Sequence, residues 1–259
     1  MNKFTLVGKE GLLSKIIQKN FEEIEIYYRG SESQRFDLSD PNTFKANIEN
    51  SIVLFTSSIS SPQLCYENFN ECFRINVINT CNAIESLLRR NNYVLFCSSD
   101  SVYGESLNGK VFSENDDAFP NNDYGLMKRV IERYFESNEN FISLRFSYIF
   151  NGEDKFSKYC IDNDAPEIFT GFKRNVVDDK HICKVINYLL QNVNFIKKNK
   201  TINIIGDQCI DRVGIIKNLI KLGLISNDKN FKYVNPPKSF FKYRARCIET
   251  SSIFREQFS

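Results

Sequence analysis

The chain has 259 residues, 42% of them hydrophobic and 14% aromatic, enough for a sizeable core in one or two domains and too much for a disordered chain. Its 34 basic residues against 32 acidic ones leave a net charge of +2, which excludes a polyanion binder working by bulk attraction but leaves a local basic patch open. No apolar run approaches the ~18 residues of a membrane span. Lys9 and Glu10 stand where a secretory signal would need its apolar segment, and the eight cysteines include no C-x-x-C pair. A cytoplasmic protein with free, mostly buried thiols is expected, with no membrane partner.

Taken in chain order, the first 150 residues alternate short apolar strands with helical patterns. Strands are predicted at Lys3–Val7, Ile24–Tyr28, Ser51–Thr56, Asn92–Ser98 and Phe141–Phe146. The third, SIVLFT, is the continuous apolar run of a parallel strand buried on both faces. Helices are predicted over Gly11–Asn20, through Phe73, Val77, Ile84 and Leu88, and over Tyr124–Ser137. Further on, Asp179–Gln191 and Arg212–Leu224 read as helices and Lys200–Ile205 as a strand. This rhythm predicts an α/β fold with a doubly wound parallel sheet of Rossmann type. That part covers about 1–150, with a return segment near 176–205. A small C-terminal lobe, expected to bind substrate, covers 151–175 and 206–259.

Gly8-Lys9-Glu10-Gly11-Leu12-Leu13-Ser14 lies between the first strand and the first helix. A dinucleotide needs such a turn, so that backbone N–H groups at a helix start can meet its pyrophosphate. An ordinary strand–helix turn is the competing reading. The chain has only 11 glycines, and Ser14 stands where a third would be, which predicts looser packing of the first helix. Arg29, with Ser31 nearby, follows the second strand, where an acidic residue suits a ribose hydroxyl and an arginine suits the 2′-phosphate of NADPH. A plain surface arginine is the alternative. Asp37 and Leu38 are candidates to meet the adenine, and Asp40 before Pro41 is the better helix cap.

The group with most chemical content is Ser99, Tyr124 and Lys128. Tyr124 and Lys128, four residues apart, share one helix face, and a neighbouring ammonium stabilises a phenolate. Lys128 is therefore expected to lower the Tyr124 pKa into a range useful for proton transfer. Ser99 is expected just past the fourth strand, at the sheet edge where ligands bind in this architecture.

Ser98-Ser99-Asp100-Ser101-Val102-Tyr103-Gly104 followed by Tyr124-Gly125-x-x-Lys128 resembles the extended short-chain dehydrogenases/reductases, the nucleotide-sugar branch of the epimerase/dehydratase superfamily. Asn76-Val77-Ile78-Asn79-Thr80, Leu144-Arg145-Phe146-Ser147 and Ile202-Asn203-Ile204-Ile205-Gly206 resemble further segments of that group. Glu114, Asp116, Pro120 and the stretch from Arg244 to Ile253 are similar to the dTDP-4-dehydrorhamnose reductase type. Ala245, Glu249 and Ser252 depart from its pattern of proline, aspartate and lysine.

The resemblance implies a cofactor site of Gly8, Gly11, Leu12, Arg29, Ser31, Asp37, Leu38, Thr56, Asn76, Tyr124 and Lys128. It implies Ser99, Tyr124 and Lys128 as catalytic residues, with Ser99, Asp100, Ser101, Arg174 and Arg244 on the substrate side. The expected reaction is NADPH-dependent reduction of the 4-keto group of a nucleoside-diphosphate 4-keto-6-deoxy sugar, on the way to a surface-glycan deoxysugar such as those of lipopolysaccharide. A 4-epimerase retaining NAD is the alternative. A dehydratase fits least, since Ser101 stands where that chemistry uses a glutamate. A non-catalytic nucleotide-binding regulator on the same fold is the reading from another class.

The single histidine, His181, is expected to face solvent, and no metal is expected. Cys97, in an apolar strand, reads as core rather than nucleophile. The basic, aromatic stretch from Lys221 to Arg246 reads as a solvated face or a sugar-nucleotide grip in preference to a nucleic-acid surface. A homodimer is left open.

Overall fold

The computed structural model describes residues 3–258. Its strands are β1 (Lys3–Val7), β2 (Glu25–Tyr27), β3 (Ser51–Phe55), β4 (Tyr93–Ser99), β5 (Phe141–Phe146), β6 (Tyr148–Ile149), β7 (Glu167–Phe169), β8 (Lys173–Val177), β9 (Thr201–Ile204), β10 (Cys209–Asp211), β11 (Lys232–Val234) and β12 (Cys247–Ile248). The α-helices are α1 (Leu12–Asn20), α2 (Pro62–Glu67), α3 (Phe69–Phe73), α4 (Thr80–Leu88), α5 (Asp123–Phe135), α6 (Lys155–Asp162), α7 (Asp179–Gln191), α8 (Val193–Lys198) and α9 (Arg212–Lys221).

The central sheet has the order β2-β1-β3-β4-β5-β9, and every neighbouring pair is parallel. Its strands are apolar on both sides because helices cover both sides. Leu6, Ile52, Leu54, Leu95 and Leu144 face Ile16, Ile17, Ile182, Ile186 and Leu189 of α1 and α7. The alternate residues Val7, Val53, Phe55, Val94 and Phe96 face Ala83, Ile84, Leu87, Ile131 and Phe135 of α4 and α5. Successive residues of one strand thus feed two separate cores, as the pleat requires.

The register aligns the carboxyl ends of the strands. Val7 lies opposite Phe55, Phe55 opposite Phe96, and Ser99 opposite Phe146. Strand order reverses at β1, whose neighbours are β2 and β3, and a crevice opens beyond the strand ends at such a reversal. Ser99 is the last residue of β4 itself, so the expected position just past the strand shifts by one residue.

Some elements escaped the apolar pattern because their start signals, not their periodicity, define them. Pro62 opens α2, and the Ser61 hydroxyl accepts from Leu64 N at 3.3 Å. Asp154 caps α6 by accepting from the Phe156 and Ser157 amides. The stretch from α3 to α4 is helical throughout, but its middle, Arg74–Asn79, is a wide π-type turn.

Beyond β5 the chain builds smaller sheets: β10-β8-β12, with β6 also along β8, and the pair β11-β7. Phe150, Cys160, Ile168, Ile215, Ile216, Leu219 and Ile225 form their own core. The C-terminal stretch then crosses back to the large sheet. Glu114 accepts from the Asn203 and Ile253 amides at 2.8 and 2.9 Å and from the Ser252 hydroxyl at 2.8 Å. Asn203 donates to Ser251 O and accepts from the Tyr103 hydroxyl. Phe258 is buried against Tyr188 and Phe195. Among the described residues, no helix is long and apolar enough to cross a membrane.

Candidate active site

The glycine turn after β1 is shaped by close approach. Gly8 has φ +113°, and a Cβ there would lie 2.5 Å from Thr56 Oγ1 and 2.9 Å from Ser57 Oγ. Only glycine combines that backbone angle with that proximity. Its N–H donates to Tyr27 O, which locks the turn to β2. Gly11 precedes α1 without a side-chain cap, so Leu12 opens a helix whose first N–H groups have no side-chain acceptor.

Ser14 corrects the expectation of a loosened first helix. It is 1% exposed, and its Oγ lies 2.9 Å from Thr56 Oγ1, which itself donates to Val7 O. Where a glycine would give contact, the serine gives a hydrogen bond between α1 and the end of β3.

At the end of β2, Arg29 is exposed in a turn. Ser31 Oγ accepts from Gln34 N and belongs to the loop's own bonding. Asp37 accepts from Ser39 N, and Leu38 is buried with its carbonyl taken by Asn79 Nδ2 at 2.6 Å. Asp40 caps the turn that starts at Pro41, accepting from Asn42 N, as its position predicts. Lys9, passed over in the sequence, lies 4.4 Å from the Tyr28 ring centre and adds a cation to this end of the cleft.

Asn76 sits in the wide turn of the α3–α4 stretch. Its amide accepts from Ile59 N at 2.8 Å and donates to Ile59 O at 2.9 Å, pinning the loop after β3. Both ends of the amide are thus used by the protein, and the residue shapes the cleft wall.

The elements that carry the expected trio come together at the carboxyl end of β4. Gly125 makes this possible, because a Cβ there would lie 2.3 Å from Ser101 O. Its absence brings the start of α5 against the turn that follows Ser99. Asn122 caps α5 by accepting from Gly125 N. Tyr124 packs against the cluster of Cys65, Cys72, Val77 and Met127. Lys128, 4% exposed, donates to Cys97 O at 2.8 Å and Ser58 Oγ at 3.3 Å, and its Nζ lies 5.7 Å from the Tyr124 ring centre.

The electrostatics correct one expectation. Burial raises the Tyr124 pKa well above that of free tyrosine, with Cys65, Asp100 and Cys97 acting in the same direction. Lys128 does not bring it down into a working range here: burial dominates at Tyr124, and burial also weakens the lysine, whose own pKa falls to about 8. The tyrosine is therefore held as a protonated phenol, beside a cation at neutral pH.

Ser99 donates to Asp100 Oδ1 at 3.1 Å and accepts from Ser101 N at 3.2 Å. Asp100 is buried, and burial raises its pKa against the lowering influence of Arg174. Its Oδ2 is buried and without a hydrogen-bond partner. Arg174, 8% exposed, donates to Lys173 O and Ala245 O and covers the Phe172 ring. Arg244 lies over Phe240 and Tyr243 at 4.7 and 4.5 Å. A small hollow beside Arg174 is lined by Tyr148, Phe156 and Phe172 and, from α9, by Arg212 and Ile215. Arg212 was missed, and its place directly after a capping Asp211 was the available signal.

The sequence also left Arg145 and Glu132 without a role. They form a buried two-point ion pair at 3.0 and 2.7 Å, joined by Ser98 Oγ at 2.6 Å and Arg129 at 3.0 Å. Glu132 is one helical turn beyond Lys128, and Arg145 covers the Tyr103 ring. His181 is partly buried rather than solvent-facing, and burial lowers its pKa. Cys97 is a buried strand residue whose thiol is pushed up to about 12 by burial, which makes it inert.

A glycine turn at the reversal point of a parallel sheet, with a Tyr-x-x-x-Lys helix against the neighbouring strand end, defines an NAD(P)-dependent enzyme of oxidoreductase type. Residues 11–158 match the NAD dependent epimerase/dehydratase family, and the chain belongs to that family. A search of the curated proteins found no significant match.

Among solved structures, the chain is similar to UDP-N-acetylglucosamine 4-epimerase from Methanobrevibacter ruminantium M1 in complex with UDP-N-acetylmuramic acid. That likeness has a TM-score of 0.80 at 14% identity and covers 100% of this chain and 92% of that one. It is similar to dTDP-4-dehydrorhamnose reductase from Bacillus anthracis in complex with NADP, with a TM-score of 0.78 at 14% identity, covering 99% and 92%. It is also similar to dTDP-4-dehydrorhamnose reductase from Yersinia enterocolitica, with a TM-score of 0.77 at 17% identity, covering 100% and 93%. At these identities the likeness is one of fold.

Proposed function

We propose that the protein reduces the 4-keto group of a nucleoside-diphosphate 4-keto-6-deoxy sugar, using NADPH. The observation that carries this reading is the Gly125–Ser101 approach, which holds Tyr124 and Lys128 of α5 against the end of β4 at Ser99. The solved relatives of similar fold include reductases of this kind, one of them with NADP.

The cradle fits a dinucleotide on its own geometry. The Gly8 turn leaves no room for a side chain, and the start of α1 offers uncapped N–H groups and a favourable dipole to a pyrophosphate. Lys9 and Arg29 place two cations at the β2 end, which supports NADPH over NADH. The nicotinamide supplies the hydride.

Tyr124 holds the proton for the ketone oxygen, and its raised pKa keeps that proton in place until the oxygen gains charge. When the proton leaves, the phenolate finds Lys128 close by, and the cation stabilises it in a water-poor setting. Ser99, by turning its hydroxyl away from Asp100, donates a second hydrogen bond to the same oxygen. Asp100, Ser101 and Arg174 border the sugar, and Arg244 faces the diphosphate.

Tyr124→Phe tests this reading. The rate of NADPH oxidation with a 4-keto-6-deoxy sugar nucleotide should fall by about 10²–10⁴, with NADPH binding retained. Full activity in that variant would remove Tyr124 from the chemistry. The likeness to a 4-epimerase supports a second reading. Tightly retained NAD and interconversion of 4-hydroxy sugar nucleotides, without net NADPH use, would replace the reductase with it.

A further inference from the structure

The small sheet beside the cleft carries a cluster with no part in the chemistry above. β10 and β12 lie on opposite sides of β8, with Cys209 opposite Asn175 and Cys247 opposite Lys173. Ligand atoms of Cys209, Cys247 and Glu249 nevertheless lie within 4.8 Å of one another. The Glu249 backbone is fixed on both sides, since its N–H donates to Ser106 Oγ at 2.8 Å and its carbonyl accepts from Phe112 N at 2.9 Å. Its carboxylate makes no hydrogen bond or ion pair with another described residue.

We propose that Cys209, Cys247 and Glu249 form a binding site for one thiophilic divalent cation, with Zn²⁺ the best match to two sulfurs and a carboxylate. Geometry favours a metal over a disulfide. Strands separated by a third lie two spacings apart, roughly 9–10 Å, whereas a disulfide needs Cα atoms closer than about 7 Å. Tetrahedral Zn²⁺ asks only that the ligand atoms converge, as these do to within 4.8 Å, since each bond reaches about 2–2.3 Å from a central ion.

On binding, each thiol releases its proton to solvent and gives a sulfur lone pair to the metal, and the carboxylate gives an oxygen pair. Water takes the fourth position. Two protons leave per metal bound. The ion would tie β10 and β12 across β8, on either side of Arg174, whose register partners are Ile210 and Ile248.

The full chain, reduced and stripped with a chelator, provides the test, with Co²⁺ as spectroscopic probe. One equivalent of Co²⁺ should produce a thiolate-to-cobalt charge-transfer band that Zn²⁺ displaces. Zn²⁺ should raise the thermal midpoint by about 5 °C or more at ~100-fold excess over Kd. Cys209→Ser and Cys247→Ser should lose the band, while Cys160→Ser, in the neighbouring apolar core, keeps it. Absence of the band and of the thermal shift in the unmodified chain overturns the proposal, whether or not the serine variants fold. Retention of the band in both serine variants overturns it too. So does a Cys209–Cys247 disulfide found by thiol counting. None of these readouts depends on turnover, so the result stands apart from the ketone reduction proposed above.

Discussion

Lys128 shows how one buried side chain trades stability for function. Its pKa is about 8 in the fold, against about 10.4 for a free lysine. Between those values the unfolded chain binds the extra proton, so stability should rise with pH across that window, by roughly 1.4 kcal/mol per pH unit at most. Below about pH 8 both states carry the proton and this slope disappears. Denaturant titrations from pH 7 to 10 on the native chain and on Lys128→Met check this, since the variant should lack that contribution. The same titration limits function: NADPH affinity should weaken above about pH 8 as the cation beside Tyr124 is lost. At Gly125 the constraint is steric. Gly125→Ala would drive a methyl into Ser101 O, and α5 would have to withdraw from the strand end. Turnover should fall at least tenfold with far-UV circular dichroism little changed, because the helix survives while its placement does not.

At the scale of elements, the buried Glu132–Arg145 pair fixes α5 to β5 beneath the site. A buried pair adds little net stability when intact, but removing Arg145 leaves the buried Glu132 carboxylate with only Arg129 and Ser98 as partners, a loss of up to about 3–5 kcal/mol. Arg145→Met should therefore be strongly destabilised in urea, whereas Arg145→Met combined with Glu132→Leu should recover much of the loss. Equal destabilisation of the single and double variants would argue that packing against Tyr103, and not charge, is what Arg145 supplies. The wide turn at Arg74–Asn79 acts on the opposite wall. By directing Asn76 at Ile59, it turns the loop after β3 into a fixed edge of the cleft.

Across the whole molecule, the C-terminal stretch makes the two parts interdependent. It leaves the small sheets at β12, binds Glu114 and Asn203, and buries Phe258 beside α7 and α8. Phe258→Ala should cost about 3–5 kcal/mol, a large share for a side chain so near the end. Because this stretch touches both parts, calorimetry should show one unfolding transition, shifted downward as a unit in the variant. Separate transitions would mean that the small lobe unfolds independently.

The sequence by itself determined the periodic features: the parallel strands, the helices α1, α5 and α7, the glycine turn, and the spacing of Tyr124 and Lys128. Each depends on residues close along the chain, where apolar period, glycine and capping groups act directly. Gly125 was visible as part of a motif, but its need for a missing Cβ became visible only when Ser101 O was found beside it. Short strands such as β10 and β12 carry too few residues for a period and exist because each has a neighbour. Tertiary structure alone decided that Ser14 replaces glycine contact with a bond to Thr56, since the partner is 42 residues away. It also reversed the expected protonation of Tyr124, because burial outweighs a lysine that is itself desolvated. Charge in a protein interior depends on what has been excluded from around it, and that is settled only when distant segments close over the site.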